Sequence, residues 1–178
     1  MTGEGASPSV LVLMGVSGCG KSTTGALLAG RLGWPFRDAD SFHPPANIEK
    51  MSRGSPLTDE DRGPWLAAIA AWIDERLEQG RSGIVSCSAL KRAYRDAILG
   101  GRAGVRLVYL KGEKELIARR MAARLDHFMP PALLDSQFAA LEEPTADERP
   151  LVAPVAAQPG EVVGFILAEL ELTAVAGA

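Results

Sequence analysis

The chain has 178 residues, 47% of them hydrophobic and 23% charged, which is enough apolar material for a domain with a proper core. Its formal net charge of −3 offers no field to a polyanion, so nucleic acid is not an expected partner. No run of about 18 apolar residues occurs, and the first eight residues lack the pattern of a signal peptide, so neither a membrane span nor export is expected.

Residues 1–8 read as a loose tail and residues 9–178 as a single domain. The first expected strand covers residues 9–14 and runs into Gly15-Val16-Ser17-Gly18-Cys19-Gly20-Lys21-Ser22, a complete G-x-x-x-x-G-K-[ST] phosphate loop. A helix follows over residues 23–32, ended by Gly33. A short strand at 34–38 leads into Asp38-Ala39-Asp40-Ser41-Phe42-His43, and Pro44-Pro45 opens a helical stretch closing at Gly54. Thr58 with Asp59, Glu60 and Asp61 reads as a capped helix start, and Trp65, Ile69, Trp72, Ile73 and Leu77 then fall on one apolar face. Both tryptophans are expected in the core. Beyond Gly80 come a strand at 83–88, a basic helix at 91–99, a strand at 105–110 and a helix at 113–125 carrying Arg119, Arg120 and Arg124. Prolines between 126 and 131 break that helix. Another helix at 132–141, a strand at 151–155 and a helix at 159–172 complete the chain, and Pro154 suits an edge strand. Strands alternating with helices give an α/β fold, a five-stranded parallel sheet with helices on both faces. A lid segment is expected at about residues 120–137.

The phosphate loop implies a nucleoside triphosphate. The backbone N–H groups from Gly15 through Gly20 would surround phosphate oxygens, aided by the helix start at Thr23. Lys21 would reach the β- and γ-phosphates, and the Ser22 hydroxyl would hold magnesium. A GTPase would carry an Asn-Lys-x-Asp guanine reader, which is absent. A motor ATPase would end its third strand in acids, where this chain has Ser86-Cys87-Ser88. A small-molecule kinase needs an acid near the transferred phosphate, and Asp38-x-Asp40 supplies one at a strand's carboxyl end. Asp40 is the candidate acceptor of a substrate hydroxyl proton, and Asp38 could orient water around magnesium. Arg120 and Arg124, four apart, would share a helix face and point at the phosphates, unless they form a solvated face paired with Glu113 or Glu115. Lys91, Arg92 and Arg95 suit an anionic substrate such as a carboxylate, or again a solvated face. Two cysteines, Cys19 and Cys87, and two histidines, His43 and His127, provide no metal-ligand spacing, and ATP chemistry argues for the reducing cytoplasm.

Taken in order from Val10 to Glu171, these blocks resemble the P-loop type of gluconokinase. The phosphate loop marks only a superfamily. The specific blocks are Asp38-Ala39-Asp40-Ser41-Phe42-His43-Pro44, Pro56-Leu57-Thr58-Asp59-Glu60-Asp61-Arg62, Cys87-Ser88-Ala89-Leu90-Lys91-Arg92 and His127-Phe128-Met129-Pro130. The resemblance implies ATP- and Mg2+-dependent phosphorylation of D-gluconate to 6-phospho-D-gluconate, a fold shared with shikimate and adenylate kinases, and a homodimer. It places Asp40, His43, Lys50, Arg62, Lys91, Arg95, His127 and Gln137 around the sugar acid and Arg120 and Arg124 over the phosphates, with Lys21, Asp40 and Arg124 as catalytic groups. Two stretches depart from the family pattern. Leu125-Asp126 stands where a basic and a small residue are usual, and residues 152–157 lack the aspartates expected near the end of the last strand. The alternatives are a kinase for another small hydroxy acid such as shikimate, and a catalytically silent nucleotide-binding regulator.

Overall fold

Five consecutive apolar residues, Val10–Met14, form β1, and all five are buried. A strand apolar on both faces belongs in the interior of a parallel sheet. The other strands are β2 (Phe36–Asp38), β3 (Gly83–Ser86), β4 (Val105–Lys111) and β5 (Leu151–Pro154). Their order is β2-β3-β1-β4-β5 with every pairing parallel, so β1 is central, and Pro154 sits on an edge strand as its missing N–H requires. The structure, a computed structural model, describes residues 7–124 and 131–176. Most of the expected tail and the centre of the expected lid, with Leu125, Asp126 and His127, lie outside the described residues.

The helices are α1 (Lys21–Leu32), α2 (Pro45–Ser52), α3 (Asp59–Glu78), α4 (Arg92–Leu99), α5 (Lys114–Ala122), α6 (Pro131–Ala140) and α7 (Pro159–Glu169). Alternation along β1 splits the core between the two faces of the sheet. Leu11 and Leu13 pack with Leu28 of α1 and Val163 and Ile166 of α7, whereas Val10, Val12 and Met14 pack with Ile69 and Ile73 of α3 and Ile98 of α4. α1 approaches β2 so closely that a side chain at Gly25 would run into the Phe36 ring. Gly33 closes α1 by donating its N–H to the Ala29 carbonyl. The N-cap of α3 is a full capping box, in which Asp61 N donates to Thr58 Oγ1 at 3.2 Å and Thr58 N to Asp61 Oδ2 at 2.8 Å.

Two local features differ from expectation. Residues after β2 form a short 3-10 turn, Ala39–Phe42, capped by Asp38, whose Oδ1 accepts the Asp40 N–H at 2.9 Å. The helix expected over 113–125 stops at Ala122, where the N–H of Ala123 returns to the carbonyl of Arg119 at 3.1 Å and that of Arg124 to the carbonyl of Met121 at 3.2 Å. Arg124 therefore lies beyond the helix, although it and Arg120 still border one cavity beside the phosphate loop. Because all five strands are parallel, their carboxyl ends lie on one edge, which gathers the loops after β1, β2 and β3 around a single crevice.

Candidate active site

The phosphate loop turns between β1 and α1 through Gly20, whose φ of +100° is a conformation that L side chains rarely adopt. Lys21 curls back over the loop, its Nζ donating to the carbonyls of Gly15 at 2.8 Å and Val16 at 3.0 Å. From the other side α6 grips the same loop. Ser17 N donates to Gln137 Oε1 at 2.6 Å, and Gln137 Nε2 donates to Ser17 Oγ at 2.8 Å. In front of the loop lies a cavity of about 1400 Å3.

The loop after β2 forms the next wall. Ser22 Oγ donates to Asp38 Oδ2 at 3.3 Å, which sets a hydroxyl and a carboxylate side by side at the start of α1. The Asp40 side chain is 89% exposed and lines the cavity, 4.0 Å from His43 Nε2. The His43 ring stacks on Trp65, with centroids 4.4 Å apart and planes at 12°, and Trp65 Nε1 is anchored to the Ala39 carbonyl at 2.7 Å. Asn47 Nδ2 donates to the Asp61 carbonyl at 2.9 Å and lies 3.4 Å from His43 Nδ1. An amide nitrogen can only donate, so Nδ1 is the acceptor and the imidazole proton sits on Nε2, facing Asp40. Burial pushes the His43 pKa below its usual value and Arg62 adds to that, against the opposite pull of Asp40. The ring is neutral at pH 7.

The third wall is the loop after β3. Ala89 has a φ of +46°, uncommon for a side-chain-bearing residue, and is 3% exposed. Arg95 holds the turn from behind, donating from Nη1 to the carbonyls of Ala89 at 2.9 Å and Leu90 at 3.2 Å. Its remaining nitrogens bind the Glu148 carboxylate at 2.6 and 3.2 Å. Ser88 O accepts from Gly15 N at 3.3 Å, so this loop and the phosphate loop are tied together. Lys91 reaches the cavity from this loop, and Arg62 of α3 and Tyr94 of α4 join it there. Cys87 also lines the cavity, but burial pushes its thiol up to about 12, which leaves it inert.

A family profile described as "AAA domain" matches residues 10–144. Among curated relatives, the gluconokinase of Gluconobacter oxydans is 48% identical over 83% of this chain and 83% of its own. The thermoresistant gluconokinase of Escherichia coli is 41% identical over 92% of each. The chain belongs to the gluconokinase family of P-loop kinases. Solved structures agree. A sugar kinase from Janibacter superposes with a TM-score of 0.83 at 45% identity, covering 93% of this chain and 95% of its own. A gluconokinase from Sinorhizobium meliloti does so with 0.79 at 46%, covering 92% of each. A shikimate kinase from Aquifex aeolicus, 19% identical over 91% of this chain and 96% of its own with a TM-score of 0.55, shares the fold.

Within the gluconokinase-family frame, the cavity gathers Lys21, Ser22, Asp38, Asp40, His43 and Lys91, together with Arg62, Arg124 and Gln137. Other expected site residues are elsewhere. Lys50 is engaged 2.5 Å from Asp61 and does not line the cavity. Arg95 is 1% exposed, and its guanidinium is spent on Glu148 and two carbonyls, so it shapes the loop under Lys91 and does not face a ligand. Arg92, the third basic residue of that helix, turns to Asp96 and Asp147. Arg120, with Arg124, borders a smaller cavity of about 230 Å3 on the other side of Gly18, Gly20 and Thr23 of the phosphate loop, where Arg120 binds the carbonyls of Val155, Ala156 and Ala157. Trp65, expected as core, is buried and also floors the cavity. Three residues around the cavity were not among the expected site residues, namely Asn47, Asp59 and Tyr94.

Proposed function

We propose that the protein transfers the γ-phosphoryl group of ATP to D-gluconate, giving ADP and 6-phospho-D-gluconate. The observation that carries this reading is that one cavity joins the phosphate loop, the exposed Asp40 carboxylate and the cations Arg62 and Lys91. The cavity thus suits the phosphates of ATP at one end and an acceptor that carries hydroxyls and an anionic group, and gluconate is a polyhydroxy carboxylate. The names of the relatives support the same substrate.

In the proposed reaction the acceptor hydroxyl oxygen attacks the γ-phosphorus, its proton passes to Asp40, and the bond from the γ-phosphorus to the β–γ bridging oxygen breaks as ADP leaves. The Nε2–H of His43 stands 4.0 Å from the Asp40 carboxylate, beyond hydrogen-bond range. Lys21 and Arg124 supply positive charge where the phosphates would lie, and Thr23 with the loop amides from Gly15 to Gly20 receives their oxygens. Ser22 and Asp38 are oxygen donors suited to magnesium, which when bound would neutralise phosphate charge. Among the described residues no cluster of three or more His, Cys, Asp and Glu forms, which suits an ion shared with phosphates and water. The homodimer, which rests on the family resemblance, and the cytoplasmic setting, which rests on the ATP chemistry, belong to the same proposal. No helix among the described residues is long and apolar enough to cross a membrane.

The test is ADP formation from Mg-ATP with gluconate, shikimate and related sugar acids supplied separately at matched concentrations. Turnover with gluconate is expected. Turnover confined to another acid would move the specificity, and ATP binding without any turnover would refute the enzymatic reading.

A further inference from the structure

His43 turns Nε2 toward Asp40 at the main cavity and Nδ1 toward α2. Behind the ring stands Asn47, a polar residue only 4% exposed that does not line the cavity. Its backbone is fixed where the Asn47 N–H donates to the Pro44 carbonyl at 3.0 Å. The orientation of its amide follows from the Asp61 carbonyl, which can only accept, so the nitrogen and not the oxygen faces it at 2.9 Å. That nitrogen carries a second hydrogen, and His43 Nδ1 lies 3.4 Å from it. Both amide hydrogens are thereby used, and Nδ1 is left without a proton.

The His43 side chain is 6% exposed and lies flat on Trp65, which holds it with Nε2 toward the cavity. Four groups surround or charge the ring, namely Asn47 of α2, Trp65 and Arg62 of α3, and Asp40 of the turn after β2. Burial favours the neutral ring, Asp40 opposes it, and Arg62 adds to the effect of burial. A neutral imidazole with its proton on Nε2 donates into the cavity and cannot accept there. The Asp40 carboxylate beside it is the reverse, an acceptor only.

We propose that Asn47 is a positioning residue for the reaction: it holds His43 as an obligate donor, and that donor reads the oxygen next to the hydroxyl that is phosphorylated. The inference rests on the sugar-acid kinase reading and adds a requirement to it. Asp40 Oδ1 and His43 Nε2 are 4.0 Å apart, too far to bond each other, so both remain for the acceptor. Oxygens on adjacent carbons can meet the two groups together, one giving its proton to Asp40 and the other accepting from Nε2–H. In gluconate these are the oxygens on C6 and C5. The other tautomer would set two acceptors side by side and compete with Asp40 for the departing proton.

The experiment measures kcat/KM for gluconate, 5-deoxygluconate and 5-deoxy-5-fluorogluconate, whose fluorine accepts a hydrogen bond but cannot donate one. In the wild type the deoxy acid should fall by about 10- to 100-fold, because a buried donor is left unpaired, and fluorine should recover about fivefold of that loss. In Asn47→Asp the carboxylate can only accept, so it draws the proton to Nδ1 and leaves Nε2 bare. The preference for fluoro over deoxy should then survive at about pH 6, where the ring is doubly protonated, and vanish at about pH 8.5, while the wild type keeps it at both. A wild type that treats the two analogues alike, or an Asn47→Asp enzyme that keeps the preference at the higher pH, would overturn the inference while leaving the kinase assignment standing. If no acid is turned over, that assignment fails and takes the inference with it. Should Asn47→Asp not fold, long-range 1H–15N spectra of the wild type at about pH 7.5 decide the matter. The chain has two histidines, and the signals missing in His43→Gln assign the ring. The Nε2–H tautomer supports the inference, and the Nδ1–H tautomer or an imidazolium overturns it.

Discussion

Asp40 combines exposure with a defined neighbour, since its carboxylate projects into the cavity while the Nε2–H of His43 stands 4.0 Å away. Replacing it with Asn keeps size and polarity but removes the carboxylate proposed to take the proton. Asp40→Asn is expected to lower kcat by about 10²- to 10⁴-fold while the affinity for ATP stays within about twofold, measured by coupled ADP release and by nucleotide titration. Lys21, Ser22 and Asp40 were legible in the sequence because each lies in a short motif whose chemistry is local. Asp59 and Tyr94 were not. They meet across 35 positions, brought together only when α3 and α4 pack, and nothing in either local segment announces the contact.

At the scale of elements, the loop after β3 depends on a partner from far along the chain. Arg95 and Glu148 are 1% and 3% exposed in their side chains, and together they tie α4 to the short turn Ala146–Glu148. Removing one member strands a buried charge. Glu148→Gln is expected to cost about 3–5 kcal/mol, seen as a lowered Tm, whereas the double variant Arg95→Met with Glu148→Leu should recover most of the loss. Helical spacing correctly marked 91–99 as a basic helix, but spacing cannot say which basic residue meets a carboxylate 53 positions away. The early end of α5 was equally hidden, because no glycine or proline stands between Met121 and Arg124 to mark it. Where signals existed, as in the Thr58 capping box and Gly33, the boundaries fell within a residue of expectation.

For the molecule as a whole, alternating strand and helix patterns announced the parallel sheet, and the burial of β1 and Pro154 in β5 account for the centre and one edge of its order. The whole-chain stability should fall on acidification in two stages. His43 has a lowered folded pKa, so below about pH 6.5 the unfolded chain takes up that proton first and gains ground. Asp61, held at about 2 by the hydrogen bond from Lys50 and by Thr58, contributes fully above its unfolded value near pH 4. That contribution is lost as the pH falls toward about 2. Tm measured across pH should show both limbs, and Asp61→Asn should flatten the lower one. The grip of Gln137 on Ser17 also reaches beyond its own neighbourhood. The Ser17 amide proton is the kind of donor a phosphate oxygen seeks, and a helix 120 residues away holds it at 2.6 Å. A phosphate that captures this proton must loosen α6, and thermodynamic reciprocity then requires that anything fastening α6 to the loop weakens nucleotide binding by the same factor. Substitutions along α6 that touch no nucleotide can therefore tune its affinity.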